Sequence, residues 1–150
     1  MSSFNSIIEA WFLKAIEIYP QSVRDGMMRM TDRFRNPAAF SLRESLAMLV
    51  KEMAGEMKID AITAALDGIV RLRAVQEYTP EAALAFAPRL GDVIREQHAE
   101  ALFPNVEQRI CLLVDCALEQ YAACRKEIAQ VRSRAEWRLQ ALEPWMRQVQ

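Results

Sequence analysis

The chain of 150 residues has only four glycines, none after Gly91, and one histidine, His98. So little glycine excludes a fold rich in tight β-turns, which depend on residues tolerant of positive φ. No apolar run approaches the ~20 residues that a membrane-spanning helix needs. Glu9 and Lys14 interrupt the apolar stretch 7–18 and no basic leader precedes it, so the expected location is cytoplasmic, with no membrane partner. A formal net charge of −1 argues against nucleic-acid binding, which calls for a basic surface.

Reactive groups are equally scarce. Cys111, Cys116 and Cys124 fall on one predicted helix, and spacings of 5, 8 and 13 residues place them roughly 7.5 to 20 Å apart along its axis, too far for easy bridging. Reduced thiols are expected, with Cys116 and Cys124 as small core fillers. One histidine and no CxxC pair leave no zinc site. No glycine-rich phosphate loop and no carboxylate, cysteine or histidine pairing of recognisable spacing is present, so neither an enzyme nor a cofactor is expected.

What the sequence does have is helical periodicity. Apolar residues recur every three or four positions in segments that predict helices at 4–19, 22–30, 38–57, 61–77, 80–102 and 105–142. The fold class is therefore all-α, a single-domain bundle of five to six helices. Asn36-Pro37 and Thr79-Pro80 each place a capping oxygen before a proline, the arrangement that opens a helix, and Asp60 is the expected cap of the fourth. Pro88 removes a backbone donor and crowds the carbonyl of Leu84, so a kink is expected at 84–88. The methionines at 27, 28, 30, 48, 53 and 57 read as core filling ahead of an adaptable binding surface.

Two polar corners interrupt this pattern. On the fourth segment Ile62, Ala65, Leu66, Ile69 and Leu72 form a core stripe that continues into Arg73 and Gln76. The second corner, 31–37, gathers Asp32, Arg33, Arg35 and Asn36 around Phe34. Buried polar groups need partners, so Arg73 is expected to be at least partly buried and held by Asp32 or by carbonyls of residues 31–37. An ion-paired structural corner is favoured over a catalytic one.

The last segment carries a third signal. Ile110, Val114, Ala117, Tyr121, Cys124, Ile128, Val131, Ala135, Leu142, Trp145 and Val149 follow heptad spacing, with Arg138 as the one interruption. A helix over 105–142 would be about 55 Å long, longer than a domain of this size is wide. Ile128, Val131, Ala135 and Leu142 are thus the candidate seam of a homodimer. Pro144 is expected to end the helix near 142–143, dividing the chain into a domain at 1–142 and a tail at 143–150.

The strings IYP at 18–20, DRFRNP at 32–37, RAVQEYTP at 73–80, ALAF at 83–86 and YAACRKEI at 121–128 resemble, in order and spacing, the N-terminal domains of the RsbRD family, regulatory modules of RsbT co-antagonist proteins. The departure is Ala87, Pro88, Arg89 and Gly91, where the family has large apolar residues. The resemblance implies a helical signalling domain that acts through protein partners in a stress or sigma-factor pathway, with a globin-like fold lacking haem. The alternative is a sensor holding a small apolar ligand or a tetrapyrrole between helices. His98 is the one imidazole available to a haem iron, but Glu96, Gln97 and Glu100 around it predict a surface position.

Overall fold

The computed structural model describes residues 3–29, 32 and 34–149, and among these the chain is helical with no strand. The helices are α1 (Ser3–Ala15), α2 (Gln21–Arg29), α3 (Pro37–Ala54), α4 (Ile59–Val75), α5 (Pro80–Leu84), α6 (Phe86–Glu96) and α7 (Val106–Val149), with 3-10 turns at Ile16–Ile18 and Glu100–Leu102. α5 and α6 are two halves of one broken rod. This is the expected all-α bundle with a long C-terminal helix.

Local chemistry explains most boundaries. The Asn36 side chain accepts from the backbone N–H of Ala39 and that of Thr79 from Ala82, each followed by its proline at the start of α3 or α5. The break expected at 84–88 falls at Ala85. It puts Pro88 in the first turn of α6, where a missing N–H costs little. Asp60 is not the cap of α4: Lys58 occupies that position without a side-chain bond, and Asp60 lies in the first turn, where a carboxylate favours the helix dipole.

The core is built from α1, α3, α4, α6 and the first half of α7. Trp11, Phe12, Leu46, Leu49, Met53, Ile62, Leu66, Leu90 and Phe103 are fully buried. Trp11 also donates from Nε1 to the Phe86 carbonyl at 2.7 Å, so the largest core side chain leaves no polar atom unpaired. Of the methionines, Met27 and Met53 fill the core, Met57 packs against it, and Met28 and Met48 are exposed. Met30 lies outside the described residues.

α7 differs most from expectation. It runs on through Pro144 to Val149 instead of stopping near 142. The proline removes one hydrogen bond at the last turns of a long helix, where fewer bonds remain to be lost, and the helix continues. Leu113, Ala117, Tyr121 and Cys124 bury one face against the body, and every residue of 129–148 is exposed. At 1.5 Å per residue that second half extends about 30 Å beyond the packed part.

Candidate functional site

Helix C-termini leave their last carbonyls without intrahelical partners, and this fold answers with arginines. Arg109 Nη1 donates to the carbonyls of Met53 and Gly55 at the end of α3, at 2.9 and 2.6 Å. Arg125 Nη1 donates to Ala74 near the end of α4 at 3.0 Å. Arg73 serves two ends at once: Nη2 reaches Ala15, the last residue of α1, at 2.8 Å, and Nη1 reaches Ala83 in α5 at 2.9 Å. Its guanidinium carbon stands 5.1 Å from the Phe86 ring centre and 5.6 Å from that of Tyr19, within cation–π range of both.

Arg73 is set apart by its burial. It is 1% exposed, no carboxylate of the described residues pairs with it, and its Nε is buried without an acceptor. The expected burial is therefore present, but the partners differ from those anticipated. The carbonyls come from residues 15 and 83, not 31–37. Asp32 is exposed and its Oδ1 accepts from the Phe34 N–H at 2.9 Å, closing its own turn. Short Asp and Asn side chains near a turn find the adjacent backbone before they find a distant cation. Arg33 lies outside the described residues.

The two corners nevertheless meet in space. Asn36, Arg73 and Gln76 all line one cleft of about 520 Å³, whose walls are α2, α3 and the C-terminal half of α4. Leu72 and Gln76, expected to face the core, are exposed because they look into this cleft, which α2 does not close. Met27, Leu42 and Ile69 supply most of its buried apolar surface. A second cleft of about 770 Å³ lies between α6 and the start of α7, and both of its arginines are already paired, Arg95 with Asp92 and Arg89 with Glu17.

The wall helix α4 is also the main support of α7. Arg71 pairs with Asp67 at 3.0 Å and with Glu127 at 2.8 Å, Gln120 donates to Asp67 at 2.7 Å, and Tyr121 Oη donates to the Tyr78 carbonyl at 2.5 Å. Arg132 and Glu77, 2.7 Å apart, close this ladder one turn beyond the packed region, and the arginine holds the Glu77 carboxyl below its ordinary range. Glu77 itself has φ 63 and lies past the end of α4, where Tyr78 N–H closes back on the Arg73 carbonyl at 3.3 Å. Sequence reading missed this ladder. Its only trace there was the mixed charge of 121–132 on a helix whose other face is apolar.

The remaining candidates separate. His98 is exposed, with φ 51, in the left-handed position after α6, and the next N–H, that of Ala99, returns to the Ile94 carbonyl at 2.9 Å. Of the proposed seam, Ile128 packs partly against the core, whereas Val131, Ala135 and Leu142 are exposed on the projecting half of α7. All three cysteines are free, Cys124 buried, Cys116 partly buried and Cys111 exposed. Burial pushes the Cys116 and Cys124 thiols up from their ordinary range. No group of histidine, cysteine and carboxylate side chains among the described residues could hold a metal ion, and no described helix is long and apolar enough to cross a membrane.

Comparison of the chain with models of known protein families, with curated proteins and with solved structures finds no match.

Proposed function

We propose that this protein is a non-enzymatic regulatory module: the helical body is the receiving part, and α7 pairs with α7 of a second copy and passes the state of the body along its length. The observation that carries this reading is the apolar side of a helix that no described residue of its own chain covers. Val131, Leu139, Leu142, Trp145 and Met146 are all exposed there. With residues 128, 135, 142 and 149 at one heptad position and 131, 138 and 145 at the other, Leu139 and Met146 flank the seam. An exposed apolar strip of this kind, interrupted only at Arg138, is stabilised by pairing. A second copy is the fitting occupant because it brings an equal length of helix with the same strip.

The resemblance to RsbRD N-terminal domains supports the same reading and extends it to a cytoplasmic signalling role with a protein output partner. Sedimentation of the parent and of Val131→Glu/Leu142→Glu tests it. The parent should sediment as a dimer at micromolar concentration, and the variant as a monomer with its helical circular dichroism kept. A monomeric parent, or a variant that stays dimeric, would overturn the pairing.

A sensor of small apolar molecules is the second reading, favoured by the open cleft beside Arg73.

A further inference from the structure

α7 presents one stripe to two different neighbours. Ala117, Tyr121 and Cys124 are buried against the body, and alternating steps of four and three residues lead from them through Ile128 to Val131, Ala135 and Leu142, which are exposed. Whatever covers the second half must therefore lie on the side of α7 where α4 lies on the first. Ion pairs from Arg71 to Glu127 and from Arg132 to Glu77 hold α4 there up to the point where the cover stops.

This placement decides the direction of a paired helix. Two packed helices have axes roughly 8–10 Å apart. In a parallel pair the first halves would also lie side by side, each turning its body-covered face to the other, and a gap of that width cannot hold two bodies. Splaying the helices at the junction would need a sharp bend, and 125–137 contains neither proline nor glycine to make one. In an antiparallel pair the first halves point away from each other. The second copy's helix then takes up the stripe where α4 leaves it, in line with α4 and not in its place.

The residues of the seam agree with that direction. With residue 131 of one copy level with residue 149 of the other, Ala135 of each faces Trp145 of the other, a small side chain against a large one, and Arg138 faces Leu142. Leu139 meets its own counterpart beside the twofold axis. Parallel pairing would set Trp145 on Trp145, leave a gap where Ala135 meets Ala135, and place Arg138 against Arg138, like charges in one layer. The antiparallel register staggers those arginines by about 6 Å along the axis, roughly one helical turn.

We propose that a second copy packs antiparallel on the projecting half of α7, giving a twofold dimer with the bodies at opposite ends of a central helix pair and Trp145 of each copy lodged over Ala135 of the other. The inference rests on the pairing reading and adds its direction and register. Each α7 then brings its residues 145–149 next to the Glu77 and Arg132 junction of the other copy. A shift of α4 against α7 in one body is met there by the other copy's helix.

Disulfide trapping reads the direction, because cysteines bridge only when their Cα atoms come within about 7 Å. Ala135→Cys, Trp145→Cys and the double variant would be oxidised with copper phenanthroline beside the parent, whose three free cysteines set the background, and resolved on non-reducing gels. The double variant should become largely covalent dimer, while each single variant stays at the level of the parent. Covalent dimer in a single variant above that level would mean that the residue meets its own counterpart, which overturns the antiparallel direction and leaves the pairing standing. A double variant that sediments as a dimer without cross-linking would overturn the register. Should loss of Trp145 abolish association, Arg138→Cys and Leu142→Cys, singly and together, sample the next layer with the same two outcomes. A parent that sediments as a monomer would remove the pairing reading itself and this inference with it.

Discussion

The two halves of α7 share one helix and one heptad pattern but live in different solvents. In the first half Leu113, Ala117, Tyr121 and Cys124 are buried, and α4 lies along them. In the second half Trp137, Leu139, Leu142, Trp145 and Met146 are exposed in the single chain. A helical stripe records only that something must cover it. Whether the cover is the chain's own body or another molecule depends on how far the body reaches. The ladder from Asp67 to Arg132 marks the place where that cover ends.

The packed body and the projecting half of α7 should therefore respond oppositely to the same substitution. Trp11 is 0% exposed and Trp145 is 69% exposed. Trp11→Ala removes a fully buried aromatic and should destabilise the body by about 3–5 kcal/mol in urea unfolding. Trp145→Ala should change the unfolding of the body by less than about 0.5 kcal/mol, as surface substitutions do, while weakening self-association in sedimentation. Similar losses of body stability in both variants would erase the distinction between the packed body and the projecting half of α7.

Next in size is Arg73→Ala. It leaves the Ala15 and Ala83 carbonyls without their donor, at about 1–3 kcal/mol for each buried acceptor, partly offset because a buried charge is removed. A net loss of about 2–4 kcal/mol is expected. Arg73→Ala that melts with the parent would show that water takes over both carbonyls and that the staple is dispensable.

Thiol chemistry sharpens the comparison inside the packed half. Burial shifts the Cys124 thiol up and so disfavours its thiolate, and Cys124 should resist iodoacetamide at neutral pH until the protein unfolds. Exposed Cys111 should be labelled first. Mass mapping of the labelled peptides reads the order, and early labelling of Cys124 would mean that the α4–α7 contact opens in the folded state.

The smallest effect belongs to the junction itself. Arg132 lowers the Glu77 carboxyl, so this ion pair contributes above the ordinary carboxylate range and is lost as pH falls through the lowered value. Both side chains are exposed and the contribution to global stability is small. Glu77→Gln should speed amide exchange in α7 near Arg132 at pH 7 and should stop mattering once the carboxyl of the parent is protonated. Equal exchange in parent and Glu77→Gln at pH 7 would remove the pair from the junction.

The sequence by itself determined the all-α class, the caps at Asn36 and Thr79, the break near Ala85, the core stripe of α4 from Ile62 to Ile69, and the burial of Arg73. These rest on local rules: capping oxygens, proline geometry, and the repeat of apolar residues every three or four positions act within a few residues. Only the tertiary structure decided who meets Arg73, that Leu72 and Gln76 look into a cleft, and that Ile128 packs on the body while Val131 does not. It also supplied the Arg71, Arg125 and Arg132 contacts between α4 and α7. Such pairings join residues tens of positions apart, and the many arginines and terminal carbonyls of a helical chain are interchangeable on paper. The packing of the helices brings particular ones within 3 Å of each other, as it does for Arg73 and the carbonyls of Ala15 and Ala83. No local rule contains that information.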